Sequence, residues 1–103
     1  MSPNKNPHHA QEQLAPLRDA IDTIDAEMLT LFEKRMHVVE NVRQVKQKYQ
    51  LPTLVPQREQ EILQKNLNKL SDSSLALYYE QFQKAVMTIS RAYQADQNEK
   101  KGQ

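Results

Sequence analysis

Arg35 is the residue in this sequence that most plainly needs a partner of opposite charge. From Leu14 to Tyr49, apolar residues recur at alternating steps of three and four: Leu14, Leu17, Ile21, Ile24, Met28, Leu31, Val38, Val42, Val45 and Tyr49. The series is broken once, between Leu31 and Val38, and the residue there is Arg35. A seam of about five heptads predicts a helix whose apolar edge another helix covers. A cation inside such a seam requires an anion, because an unpaired buried charge is strongly destabilising. That anion is either a carboxylate on a neighbouring helix or a ligand.

Other polar residues fall on or beside faces that should be dry. Lys46 follows Arg35 by eleven residues. At about 100° per residue it faces nearly the same way, ~16 Å further along the helix. Read alone, it snorkels its ammonium to solvent. Arg18 lies seventeen residues before Arg35, which turns it about 100° away around the helix. It does not readily enter the same pocket from the same chain, and alone it reads as a solvated first-turn residue. Glu59 sits three before Ile62 and four before Leu63, so it shares their face. Its bland reading is a buried partner for Arg35 or Lys46. Ser90 and Gln94 are one turn apart beside the apolar stripe of the last helix, where polar border residues are ordinary. Taken together, the surplus charge is positive. The set describes a pocket for a small dianion, with Glu59 available for a hydroxyl. No side chain reads as an activated nucleophile, and His37, two residues past Arg35, points away from the seam. Any catalysis would come from fixed charge and confinement.

The elements that position these residues follow from periodicity and breakers. Residues 1–13 contain Pro3, Pro7, Asn4, Asn6 and His8-His9 with little that is apolar, and read as a disordered arm. Two adjacent histidines in such an arm offer few ligands in no fixed geometry, so no metal site is expected. The first helix is expected from about Ala15, with Pro16 in its first turn, to about Tyr49. That is a rod of ~52 Å, too long for two shorter helices to cover, and a homodimer is the simplest cover. Pro52 breaks the connector Gln50 to Val55. Pro56 opens a second helix to about Leu70. Ser71-Asp72-Ser73-Ser74 is a cap cluster. A third helix runs from about Ser73 to Gln94 or slightly beyond, burying Leu75, Tyr78, Tyr79, Phe82, Val86, Ile89 and Tyr93. Residues 97–103 form a polar tail. The expected fold is all-α: a three-helix protomer with one long N-terminal helix, in an intertwined homodimer, with the helical domain spanning residues 14–96.

Composition removes several alternatives. The 103 residues make one domain at most, and the formal net charge of +1 gives no field that favours nucleic acid or an acidic membrane. No cysteine is present, so thiolate chemistry and disulfides are excluded. The one glycine, Gly102, excludes glycine-cradled phosphate loops. No apolar run approaches the ~20 residues of a membrane span, and no segment reads as a signal peptide. A cytoplasmic protein is expected.

At these residues the chain resembles the all-helical class of chorismate mutase. Leu17-Arg18-Asp19-Ala20-Ile21-Asp22-Thr23-Ile24-Asp25 is similar to that family's opening. Glu33-Lys34-Arg35, Val45-Lys46 and Pro56-Gln57-Arg58-Glu59 fall at its spacing, and Ser90 with Gln94 matches its polar pair on the third helix. The likeness covers residues 14 to 95. It implies an intertwined dimer with two sites that converts chorismate, a small dicarboxylate, to prephenate without metal or cofactor. It further implies that Arg18 reaches into the partner's site. Arg18, Arg35 and Lys46 would hold the two carboxylates, with help from Arg58 and Ser90. Glu59 would accept from the ring hydroxyl, and Lys46 and Gln94 would face the ether oxygen. At one position the chain departs from the pattern. Several members carry an acid three residues before the Arg-Glu pair, where this chain has Val55, which leaves Glu59 with less help.

Two other readings compete. A lyase on the same scaffold removes pyruvate from isochorismate and shares the cation set, but Glu59 beside Arg58 suits the chorismate hydroxyl. A non-catalytic helical dimer would pair Arg35 and Lys46 with protein carboxylates. No helix shows the basic stripe of a nucleic-acid binder.

Overall fold

A computed structural model describes residues 7–101 and is helical almost throughout. Three α-helices follow in order, α1 (Pro7–Lys48), α2 (Pro56–Lys69) and α3 (Ala76–Lys101), with a short 3-10 turn, Ser73–Leu75, leading into α3. No helix among the described residues is long and apolar enough to cross a membrane. The chain divides into two compact units, the first ending at Arg35 and the second beginning at Met36.

In the first unit α1 begins at Pro7, earlier than the start near Ala15 that the sequence suggests. Residues 7–13, expected to be part of a disordered arm, are helical, and residues 1–6 lie outside the described residues. Pro7 takes the first helical position, where a missing N–H is harmless. Pro16, expected in the first turn, therefore falls inside the helix. An interior proline removes one backbone hydrogen bond and costs about 3 kcal/mol. Side chains brace this stretch: His8 lies 3.1 Å from Glu12, and Arg18 Nη1 donates to Gln11 Oε1 at 3.0 Å across the proline. The seam residues Leu17, Ile21, Ile24, Met28 and Leu31 are all exposed in the single chain.

In the second unit α2 and α3 pack on each other, and the end of α1 joins α3 through long polar side chains. Leu63 of α2, Met87 of α3 and Val39 of α1 are its buried apolar residues. Gln83 is buried among them and satisfied twice: Asn66 Nδ2 donates to its Oε1 at 3.2 Å and the Tyr79 hydroxyl at 2.6 Å. The inward face of α1 here is Val39 and Arg43, and the seam residues Val38, Val42, Val45 and Tyr49 are exposed. The inward face of α3 also differs from the expected stripe. Leu75, Tyr78, Phe82 and Ile89 are exposed, while Tyr79, Val86 and Tyr93 are half-buried beside buried Gln83, Met87, Ser90 and Gln94. In α1 the exposed seam is the edge expected to be covered by a second copy, whereas in α3 the most apolar stripe is not the one that packs within the chain, so there periodicity alone points to the wrong face.

The breakers act as expected. α1 ends in a Schellman motif, with Leu51 N–H donating to Lys46 C=O at 2.8 Å and Gln50 N–H to Gln47 C=O at 3.2 Å. Gln50 takes the left-handed conformation at φ 55°, a position that favours glycine. Asp72 caps the 3-10 turn, its Oδ1 accepting from the Ser74 N–H at 3.0 Å and hydroxyl at 2.6 Å. These bonds hold the Asp72 carboxyl below the usual range. α3 continues to Lys101 rather than ending near Gln94, and its extension is engaged, because Asn98 Oδ1 accepts from Arg43 Nη1 at 3.1 Å.

Candidate active site

The sequence-predicted site residues divide between the two units. Arg18 lies in the first, exposed and hydrogen-bonded to Gln11. Arg35 is the last residue of that unit and is half-buried. Lys46, Val55, Arg58, Glu59, Ser90 and Gln94 belong to the second.

Lys46 sits in the last turn of α1 and is half-buried. Its Nζ donates to the Thr53 carbonyl at 2.8 Å. The Schellman turn makes this reach possible, because it folds residues 49–53 back across the helix end. An ammonium carries three donors, so the bond to Thr53 fixes the side chain and leaves two N–H groups for a ligand. Val55 is the N-cap of α2, with extended backbone at φ −126° and ψ 91° and no side-chain cap bond. Pro56 then starts the helix. Arg58 is exposed in the first turn, and Glu59, one residue on, is half-buried on the α3-facing side.

Glu59 pairs with a cation that the sequence reading did not consider for it. Its Oε2 accepts a hydrogen bond from Arg91 Nη1 of α3. Sequence reasoning missed Arg91. Thirty-two residues separate the pair, so no local spacing signals it. The one sequence cue is that Arg91 directly follows Ser90 on a helix otherwise poor in inward cations. Glu59 and Arg91 stand at the wall of a cavity of about 340 Å³ between α2 and α3, with Leu54, Leu63 and Met87 as apolar lining.

Ser90 and Gln94 are both buried on the inward face of α3. The Ser90 hydroxyl donates back to the Val86 carbonyl at 3.0 Å. Gln94 Oε1 is fully buried and, among the described residues, receives no hydrogen bond. A buried amide with an unpaired acceptor is costly to keep.

A second polar cluster ties α1 to α3 beside these residues. Arg43, almost fully buried, donates to Glu40 through Nε at 2.8 Å and through Nη2 at 2.6 Å, a bidentate pair. Gln44 Nε2 and the Tyr93 hydroxyl donate to the same carboxylate at 2.9 Å and 3.1 Å. The Arg43 guanidinium, helped by Gln44 and Tyr93, lowers the Glu40 carboxyl from 4.5 to about 2. Burial and the neighbouring Glu40 carboxylate raise the Tyr93 hydroxyl. The cluster is consumed by its own bonds and anchors the α1 turn that carries Lys46.

The second unit is thus all-helical, and of the sequence-predicted residues only Glu59 lines the α2–α3 cavity, while Lys46, Ser90 and Gln94 do not. Comparison with known proteins goes further: residues 17–95 match the chorismate mutase type II family model, and the chain belongs to that family.

Among curated relatives, a T-protein of Enterobacter agglomerans is 45% identical over 51 residues, which is 50% of this chain and 14% of that protein. A bifunctional chorismate mutase/prephenate dehydratase of Aquifex aeolicus is 43% identical over 60 residues, 56% of this chain and 17% of the relative. The T-protein of Haemophilus influenzae is 43% identical over 53 residues, 52% of this chain and 14% of that protein. The chain therefore covers less than a fifth of the length of these relatives. No solved structure gives a significant match.

Proposed function

We propose that this chain is a chorismate mutase that rearranges chorismate to prephenate in sites shared by two copies. The observation that carries the reading is the family match over residues 17–95, which takes in every position from Arg18 to Gln94. Arg18 of one copy acts with Arg35 and Lys46 of the other to hold the two carboxylates, assisted by Arg58 and Ser90. Glu59 accepts from the ring hydroxyl. Lys46 and Gln94 donate to the ether oxygen as its bond to the ring breaks.

The chemistry suits this inventory. The rearrangement is unimolecular and pericyclic: one carbon–oxygen bond breaks while one carbon–carbon bond forms in the same molecule. No proton is exchanged with the protein, so no base or nucleophile is required. The protein's contribution is to hold the folded, chair-like conformer and to place fixed donors where negative charge develops. Lys46, anchored by Thr53 with two donors spare, and Gln94, buried on the inward face of α3, are suited to the second task.

The exposed seam supports a second copy of the chain as the cover. Leu17, Ile21, Ile24, Met28 and Leu31 lie on one helical edge, all exposed in the single chain, and large contiguous apolar edges mark association surfaces. The expected offset of Arg18 from Arg35 around α1 sends the two side chains to different sites.

Two experiments test the proposal. Incubation with chorismate, with the product identified, should yield prephenate. Salicylate and pyruvate formed from isochorismate, with chorismate untouched, would assign the chain to the lyase. For the shared site, Arg18→Ala and Arg35→Ala proteins, each nearly inactive, are unfolded together and refolded in equal amounts. Random pairing makes about half the dimers mixed, and in each of these one site carries both lesions and the other neither. Activity should return to about a quarter of the parent level. No recovery, with mixed dimers demonstrated, rules out sharing.

A further inference from the structure

The proposed role of Glu59 demands that its carboxylate be held at a fixed angle, and in this chain the position that would help from α2 is apolar. Val55 has no polar side-chain atom, and it caps α2 without a side-chain hydrogen bond. The structure supplies a different holder. We infer that Arg91 is the positioning residue for Glu59, setting its carboxylate from α3 for the ring hydroxyl of the substrate. This inference rests on the mutase reading above.

Four observations support it. The pair bridges two helices, Arg91 Nη1 on α3 to Glu59 Oε2 on α2, so it fixes the carboxylate relative to the helix that also carries Ser90 and Gln94. The guanidinium is itself restrained, its Nη2 donating to Thr88 Oγ1 at 3.3 Å one turn earlier. The contact is end-on. Oε2 is engaged, and among the described residues no hydrogen bond is made to Oε1, so one carboxylate oxygen is left to accept from a ligand. Both side chains are mostly shielded, 31% and 26% exposed, at the wall of the cavity lined by Leu54, Leu63 and Met87. In that partly dry setting the planar guanidinium, tied to Thr88 through Nη2, presents its Nη1–H to Glu59 at a fixed angle, which a rotating ammonium does not.

The kinetic consequence is specific. The ring hydroxyl stands on the carbon next to the one that loses the ether oxygen, but none of its own bonds forms or breaks, so most of its hydrogen bond is made alike in the ground state and the transition state. Losing it should raise KM and leave kcat nearly unchanged. Arg91→Met keeps the length and removes the guanidinium. It should lower kcat/KM about tenfold, the low end for a charge-assisted hydrogen bond because the pair is partly exposed. Arg91→Lys should recover about a third of the loss on a logarithmic scale, since it keeps the charge without the planar guanidinium that Thr88 restrains.

The deciding test is a double-mutant cycle by steady-state kinetics on the full chain: parent, Arg91→Met, Glu59→Ala and the double variant, with helicity checked by circular dichroism. If Arg91 acts through Glu59, Arg91→Met costs about tenfold in the parent and less than about twofold in the Glu59→Ala background. Equal losses in both backgrounds would show that Arg91 touches substrate or merely supports the fold, and would overturn the inference while leaving the mutase reading intact. A change of less than about twofold in Arg91→Met alone would overturn it as well. A parent that leaves chorismate unchanged overturns the mutase reading and this inference together. Should Arg91→Met lose helicity, Arg91→Gln takes its place in the cycle under the same criteria.

Discussion

Replacing Gln94 by methionine should make the protein more stable and nearly inactive. Gln94 Oε1 is fully buried and receives no hydrogen bond among the described residues, and the residue as a whole is only 5% exposed. An unsatisfied buried acceptor costs ~1–3 kcal/mol. Methionine is close in length and volume and carries no strong polar atom, so the substitution removes that penalty. Imperfect packing of a near-isosteric side chain returns less than ~1.5 kcal/mol. The net expectation is a gain of about 1 kcal/mol, or roughly 4–8 °C in Tm for a chain of this size. If the amide donates to the breaking ether bond, its loss should lower kcat by about a hundredfold or more. Urea denaturation gives the first quantity, run at one fixed protomer concentration because association contributes to apparent stability. Loss of chorismate absorbance gives the second. A Gln94→Met protein with a lower urea midpoint would show that the amide is a satisfied structural group. A stable one with parental kcat would remove Gln94 from the chemistry.

Gln94→Glu should tie activity to acid, because only the protonated carboxyl can donate as the amide does; a pH–rate profile matching the parent's between about pH 5 and 8 would refute this. Val55→Asp should stabilise α2 by ~1 kcal/mol in thermal unfolding by supplying the N-cap acceptor that valine lacks, and an unchanged Tm would count against it. Gln50→Gly relieves a left-handed φ of 55°; set against the greater freedom of glycine when unfolded, it should gain ~0.5 kcal/mol in the urea midpoint, and a loss would mean that the Gln50 side chain contributes. The Glu40 carboxyl is lowered from 4.5 to about 2 in the fold, so its contribution to stability is complete above about pH 4.5 and fades as pH falls toward 2. Glu40→Gln should flatten acid unfolding in that window, and an acid midpoint identical to the parent's would refute the role.

The sequence showed the helices and their breaks more clearly than their faces. Pro56, Pro52 and Asp72 each act through a local backbone constraint, which is why α2 and the turn before α3 fall where these residues put them. Pro16 misled, because proline fits the first turn so well that it hid a helix already under way from Pro7. The inward face of α3 is not its strongest apolar stripe, so periodicity selects Leu75, Tyr78, Phe82 and Ile89, which are exposed. In α1 the packed residues are Val39 and Arg43, a valine beside a cation, which no hydropathy pattern selects. The site shows the same division. Lys46, Glu59, Ser90 and Gln94 were visible as polar residues near dry faces. The Glu59–Arg91 pair was not, because it forms across thirty-two residues and depends on how α2 lies against α3.

Seen residue by residue, the single chain has its polarity partly reversed. Arg43, Gln83, Ser90 and Gln94 are buried, while Leu17, Ile21, Ile24, Leu31, Phe82 and Ile89 are exposed. A protein stable as a lone chain buries its largest apolar groups first, because they contribute most per unit of area. This pattern follows when folding and association are one event. The exposed edges of α1 and α3 then become interior in the proposed dimer, and they supply the hydrophobic driving force that the small core of Val39, Leu63 and Met87 lacks. The polar interior follows from the same arrangement. Once association carries the stability, the chain can tolerate a buried amide with an open acceptor and a carboxylate held by one oxygen, and in the proposed reaction it is the amide N–H and the free carboxylate oxygen that would meet the substrate.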